Sequence, residues 1–139
     1  MEIYLDNAAT TKPLASVIEI ANEIMNENYG NPSSWHKMGI NAEKVIRDAK
    51  KAIANRLNVN EKEVFFTSGA TESNNTAIFG TVYANKRKGN HIITTEIEHP
   101  SVLECFSKLE KEGFKVTYLS VNKEGIIDLE ELKSVLSNE

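Results

Sequence analysis

Three short apolar runs constrain the fold more than anything else in this sequence: "EVFFTS" (Glu63–Ser68), "HIITT" (His91–Thr95) and "FKVTYLS" (Phe114–Ser120). A stretch of helical character follows each one: Thr71 to about Lys86, Pro100 to Glu112, and Leu129 to about Leu136. Runs of β-branched and aromatic residues alternating with helices predict βαβ units and a parallel sheet, because parallel neighbours need a long crossover. Pro100 suits a first helical turn and Gly113 a helix end. Asp128 with Glu131 three residues on resembles a capping box. Three strands make a small sheet with open edges, so the pattern predicts the first part of a larger fold or one piece of a split one.

The residues before these units read differently. "IYL" is a short arm and "DNAATTK" a polar loop. Thr11 is expected to cap a first helix with Pro13 in its first turn, and Gly30 to stand just past its end. Leu14, Val17, Ala21 and Ile24 recur at helical spacing. "NPSSWHKMG" reads as a loop, and a second helix runs to about Leu57 with Ala42, Val45, Ala49, Ile53 and Leu57 on one face. The expected division is residues 1–60, an arm and helices of a small domain, and residues 61–139, the first part of a large domain.

Composition removes several function classes. Lys plus Arg total 16 against 20 Asp plus Glu, a net charge of −4, which argues against a general nucleic-acid binder. The cluster Lys86-Arg87-Lys88 reads as a solvated helix C-terminus. The single cysteine, Cys105, allows neither an intrachain disulfide nor a Cys-based zinc site, and a reducing cytoplasmic setting fits. No signal peptide and no membrane span is expected.

The chemistry concentrates at "FTSGATESNN" (Phe66–Asn75). In open α/β sheets ligands gather beyond the carboxyl ends of the strands. Gly69 would let a ligand approach the backbone. The amides of Ala70 and Thr71 would open a helix, where unpaired N–H groups and the dipole favour an anion. Ser68 and Thr71 would add hydroxyls. Spacing alone leaves a second reading equally open: a plain strand-helix turn in which Ser68 or Thr71 is only a cap. Neither a Walker loop nor a dinucleotide fingerprint is present. His99, just past "HIITT" and before Pro100, is expected at the same end of the sheet. There it could stack on a planar ligand and carry protons. A helix-capping or surface histidine is the plainer reading of that position.

Four blocks now stand in order: "YLDNAATT" (Tyr4–Thr11), "YGNPSSWH" (Tyr29–His36), "FTSGATESNN" (Phe66–Asn75) and "EHPSVL" (Glu98–Leu103). Together they resemble the N-terminal part of a cysteine desulfurase of the NifS/IscS class, in the fold-type I family of pyridoxal-phosphate enzymes. The resemblance implies an α/β fold, the N-terminal portion of the fold-type I transferase fold. It implies that Ala70 and Thr71 bind the phosphate of pyridoxal 5'-phosphate, and that His99 stacks on its ring and acts in acid/base catalysis. Asn7, Ala8 and Asn31 would lie near the substrate entrance or a dimer interface, with a fold-supporting polar loop as the equal alternative. The substrate would be L-cysteine and the products L-alanine and an enzyme persulfide. The sulfur would pass to an acceptor protein, as in iron–sulfur cluster biosynthesis. A homodimer or a complementing chain is implied, without nucleic acid or membrane.

In that family the Schiff-base lysine, the aspartate facing the pyridine nitrogen and the loop cysteine lie farther along, so these 139 residues alone are expected to be inactive. Lys37, beside His36, reads as a solvated lysine, and Cys105 as a half-buried structural residue rather than a nucleophile. Two rivals remain. One is a related lyase or aminotransferase: a selenocysteine lyase, a sulfinate-type desulfurase or a serine-glyoxylate type transaminase. The other is a non-catalytic fragment that pairs with another chain or with itself.

Overall fold

A computed structural model describes residues 3–136. They divide along the chain into two compact units, with the boundary between Phe65 and Phe66. The first holds helix α1 (Ala15–Glu27), helix α2 (Lys37–Leu57) and a 3-10 turn (Glu61–Glu63). The second holds α3 (Ala70–Asn85), β1 (His91–Thr95), α4 (Pro100–Lys111), β2 (Lys115–Leu119) and α5 (Leu129–Val135).

In the first unit Thr11 does not cap α1. Its hydroxyl donates to the Asn7 carbonyl at 3.2 Å, Leu14 stands at the N-cap, and Pro13 lies before the helix. No residue of α1 is buried. Gly30 is not the helix-ending glycine either, since Asn28 caps α1. Its role is close approach: a Cβ there would lie 2.5 Å from the Met38 carbonyl oxygen. Gly39 is tighter still, with Ser34 O 2.2 Å and Asn31 O 2.7 Å from a built Cβ. Two glycines therefore let the 29–36 loop lie directly on the start of α2. That helix begins at Lys37, inside the expected loop, because His36 caps it through an N–H···Nδ1 bond from Gly39. The buried residues of α2 are Gly39, Ala42 and Ala54, while Ala49, Ile53 and Leu57 of the expected face are exposed. The helix packs against the 3-10 segment, which a full capping box between Asn60 and Glu63 starts.

The second unit is built on β1 and β2, parallel neighbours in register from His91↔Lys115 to Thr95↔Leu119. Helix α4 supplies the crossover, lies on β2 and takes α3 on its side. Leu109 and Cys105, one turn apart on α4, are the largest fully buried side chains among the described residues, and Leu119 is buried too. Gly113, at φ +96°, ends α4 in the left-handed conformation that a glycine adopts without strain. Asp128 caps α5 through the Glu130 and Glu131 amides. Glu131 does not complete the box; its carboxylate accepts from the Ser120 hydroxyl at 3.0 Å.

The strand expected at Glu63–Ser68 is not in the sheet, which has two strands among the described residues. Val64 has extended backbone, φ −98° and ψ 118°. Extension alone does not make a strand; a ladder partner and a surface to bury the side chains do. Phe65 is 76% exposed, so that surface is not provided among the described residues.

Candidate phosphate and histidine site

The start of α3 carries the first part of the site. Gly69 is the N-cap and makes no side-chain cap bond. A Cβ built on Gly69 would meet nothing within 4 Å, so internal packing does not demand glycine here. The Ala70 and Thr71 amides find no acceptor among the described residues. They are the donors that every helix leaves over at its N-terminus. Two amides and the Thr71 hydroxyl fit a phosphate held by neutral donors.

Ser68 departs from the expected role. Its N–H and hydroxyl both donate to the Glu72 carboxylate, at 2.7 and 2.6 Å. These bonds hold the Glu72 carboxyl below its ordinary pKa. The Ser68 hydroxyl is therefore engaged within the turn, and the first turn of α3 carries its own anion. Thr67 reaches over the same turn to Ser73, hydroxyl to hydroxyl at 2.6 Å. The acid three residues after the cap was a readable signal for the Glu72 contact.

His99 is the N-cap of α4, directly after β1 and its connecting residues. Its Nδ1 accepts from the Ser101 backbone N–H at 3.1 Å and lies 2.9 Å from the Ser101 hydroxyl. That hydroxyl also accepts from the Asn74 amide, Nδ2 to Oγ 2.9 Å. Asn74 sits on α3 one turn beyond Thr71, so one hydrogen-bonded bridge ties the helix carrying Ala70 and Thr71 to His99. The shared sheet end on which the sequence reading relied is not the connection, since Glu63–Ser68 is outside the sheet. Helix α3 against α4 makes it instead. Asn74 and Ser101 escaped the sequence reading because they are 27 residues apart and neither stands at a motif glycine or proline.

The remaining candidates belong to the first unit. The Asn31 side chain accepts from the Ser33 N–H at 2.9 Å, and its carbonyl accepts from the Ser34 N–H at 3.0 Å, so Asn31 shapes its own loop. Asn7 offers its carbonyl to Thr11, and Ala8 is exposed in the turn closed by Ala9 N–H on the Asp6 carbonyl. Lys37 is exposed in the first turn of α2. Cys105 is 2% exposed, and burial pushes its thiol above the ordinary range, the wrong direction for a nucleophile. Among the described residues no helix is long and apolar enough to cross a membrane.

The Aminotransferase class-V family matches residues 3–139. A "Cysteine desulfurase IscS" of Clostridium botulinum is 45% identical over 138 residues, 99% of this chain and 35% of that protein. A "NifS/IcsS protein homolog" of Lactobacillus delbrueckii subsp. bulgaricus is 47% identical over 137 residues, 99% of this chain and 36% of its own. Among solved structures, a "NIFS-LIKE PROTEIN" superposes with a TM-score of 0.92 at 41% identity, over 98% of this chain and 37% of that one. The chain thus spans about a third of the length of the curated relatives it matches.

Proposed function

The chain belongs to the class-V aminotransferase family, and from that premise we propose that it is the N-terminal segment of a pyridoxal-phosphate-dependent cysteine desulfurase. Its fold is the N-terminal portion of the NifS-like, fold-type I architecture. Ala70 and Thr71 would hold the cofactor phosphate through their amides and the Thr71 hydroxyl. His99 would lie on the ring and hold or give up a proton at Nε2. Bound there, the cofactor would supply an electron sink. Residues 61–139 would then be the first part of the large domain, and 1–60 the arm and helices of the small one. Asn7, Ala8 and Asn31 would face the substrate entrance or a partner copy. We assign L-cysteine as substrate, a protein as sulfur acceptor in iron–sulfur cluster biosynthesis, and the cytoplasm as location.

One observation supports this reading: the Asn74–Ser101–His99 bridge, which ties His99 to the helix whose first two amides find no acceptor among the described residues. The exposed apolar side chains of α1, among them Val17, Ile20 and Met25, support association with a second copy or a complementing chain.

The test is titration of the 15N-labelled chain with pyridoxal phosphate and, separately, inorganic phosphate. The Ala70 and Thr71 amides are expected to shift with both ligands, and the His99 ring with the first alone. Thr71→Val should weaken binding about tenfold, the loss of one hydrogen bond to a charged group. Unmoved Ala70 and Thr71 amides would overturn the assignment. With cysteine added, no alanine or sulfide above the free-cofactor rate is expected from these 139 residues. Turnover lost in Lys37→Ala or Cys105→Ser would show that one of these two residues is catalytic.

A further inference from the structure

We propose that Ser101 and Asn74 are positioning residues that fix His99 in one tautomer, with the proton on Nε2, and hold its ring plane at the start of α4. The functional consequence rests on the cofactor reading above; the tautomer itself does not.

The argument is an accounting of donors. A backbone N–H can only donate, and the Ser101 N–H points at His99 Nδ1 at 3.1 Å. An Nδ1 that accepts carries no proton, so the neutral ring has its proton on Nε2. The Ser101 hydroxyl stands 2.9 Å from the same nitrogen and has one proton to give. The Asn74 amide closes one direction to that proton. Its NH2 group donates to Ser101 Oγ at 2.9 Å, so the hydroxyl proton cannot point back at Asn74, and Nδ1, which the backbone bond already makes an acceptor, is left to receive it. The order is Asn74 N–H to Ser101 O–H to His99 Nδ1, each group donating to the next.

Two bonds converge on one ring nitrogen from one residue, and that residue is anchored to a second helix. The ring is thereby held at Nδ1, and Nε2 is the one nitrogen through which His99 can exchange a proton with a ligand. A histidine that merely capped α4 would need only the backbone bond. The hydroxyl and the amide behind it exceed what capping requires.

The polarity makes the proposal testable in the chain alone, without cofactor. Imidazole nitrogen shifts of the 15N-labelled protein are read about two units above the ordinary histidine pKa of about 6.5, where the ring is neutral. The His99 signals are told apart from those of the other two histidines by difference with His99→Gln. In the wild type, Nδ1 of His99 is expected at the pyridine-type frequency and Nε2 at the pyrrole-type frequency. Ser101→Ala should move Nδ1 part-way toward the tautomer-averaged value, and Ser101→Thr, which keeps the hydroxyl, should restore it. Asn74→Asp is the sharper probe. Its carboxylate cannot donate and takes the Ser101 proton, so Nδ1 should shift further than in Ser101→Ala. Backbone spectra report whether each variant is folded, and the wild-type shifts test the proposal even if none is. A proton on Nδ1 in the wild type would overturn it, as would folded Ser101→Ala and Asn74→Asp with wild-type shifts. A failed phosphate titration with the tautomer intact would sink the cofactor reading and leave this one standing.

Discussion

His36 and His99 do the same local job in different settings. Each stands at a helix N-cap, and each accepts a backbone N–H at Nδ1. At His36 the bond is long, 3.4 Å, and comes from Gly39. The start of α2 is held by backbone lying on backbone, where Gly30 and Gly39 leave no room for a Cβ. At His99 the bond is shorter, 3.1 Å, and a hydroxyl backed by an amide reaches the same nitrogen. The first turn is fixed by packing and the histidine finishes it. In the second, the surroundings serve the histidine. A capping residue alone thus says little about function; what stands behind its second interaction says more.

The largest effect should come from removing the support of the His99 turn. Leu109→Ala empties a side-chain position with no exposure in the helix that His99 caps, at a cost of about 2–5 kcal/mol. Trp35 is the single tryptophan and lies in the other unit, 96% exposed. Denaturant curves read by far-UV dichroism should shift, and a Trp35 fluorescence curve that shifts equally would break the separation of the two turns. The matching change in the first unit is Gly39→Ala. Its methyl group would meet the Ser34 carbonyl, and overpacking of this kind costs about 1–3 kcal/mol. Here Trp35 fluorescence should report the displaced loop, and an unchanged midpoint would refute the close approach. Next come the caps themselves. His36→Ala and His99→Ala should each cost about 1 kcal/mol by the same denaturation, the ordinary loss of a cap. Only His99→Ala should remove the ring response to pyridoxal phosphate. The smallest effect belongs to Glu72→Gln. Ser68 holds this carboxyl below its ordinary value, so the charged form favours folding above that value. The benefit vanishes as pH falls through the folded value. Wild type minus Glu72→Gln, followed by melting from neutral pH to acid, should therefore shrink on acidification; a constant difference would deny the Ser68 contact.

Sequence patterning delivered the second unit closely. "HIITT" coincides with β1, and Pro100 and Gly113 bracket α4, because these signals act within a few residues of themselves. The same locality misled at Thr11 and Gly30, which have the chemistry of caps but spend it on a turn and on a close approach. The run Glu63–Ser68 reads as a strand from its residues, yet strand formation depends on a neighbour in space, not on the run. In the site, Gly69, Ala70, Thr71 and His99 announced themselves by position. Asn74 and Ser101 did not, for a bond across 27 residues leaves no periodic trace. Glu72 stands three residues after Gly69, the spacing of a capping carboxylate, and its charge runs against the electrostatics that suggest an anion at this helix start.

The two-stranded sheet has a temporal consequence. Among the described residues each strand has one ladder neighbour, with Lys115 N–H on the Asn90 carbonyl and Glu96 N–H on the Leu119 carbonyl closing the two ends of the ladder. Along each strand, alternate amides face the neighbour and the others face outward. Deuterium uptake along His91–Thr95 should accordingly be periodic, slow and fast in turn. A partner that adds a strand beside β1 would silence the fast set and leave the slow set as it was. The arrival of the rest of a fold could then be timed amide by amide, from inside a chain that carries no chromophore in this unit beyond its tyrosines and phenylalanines.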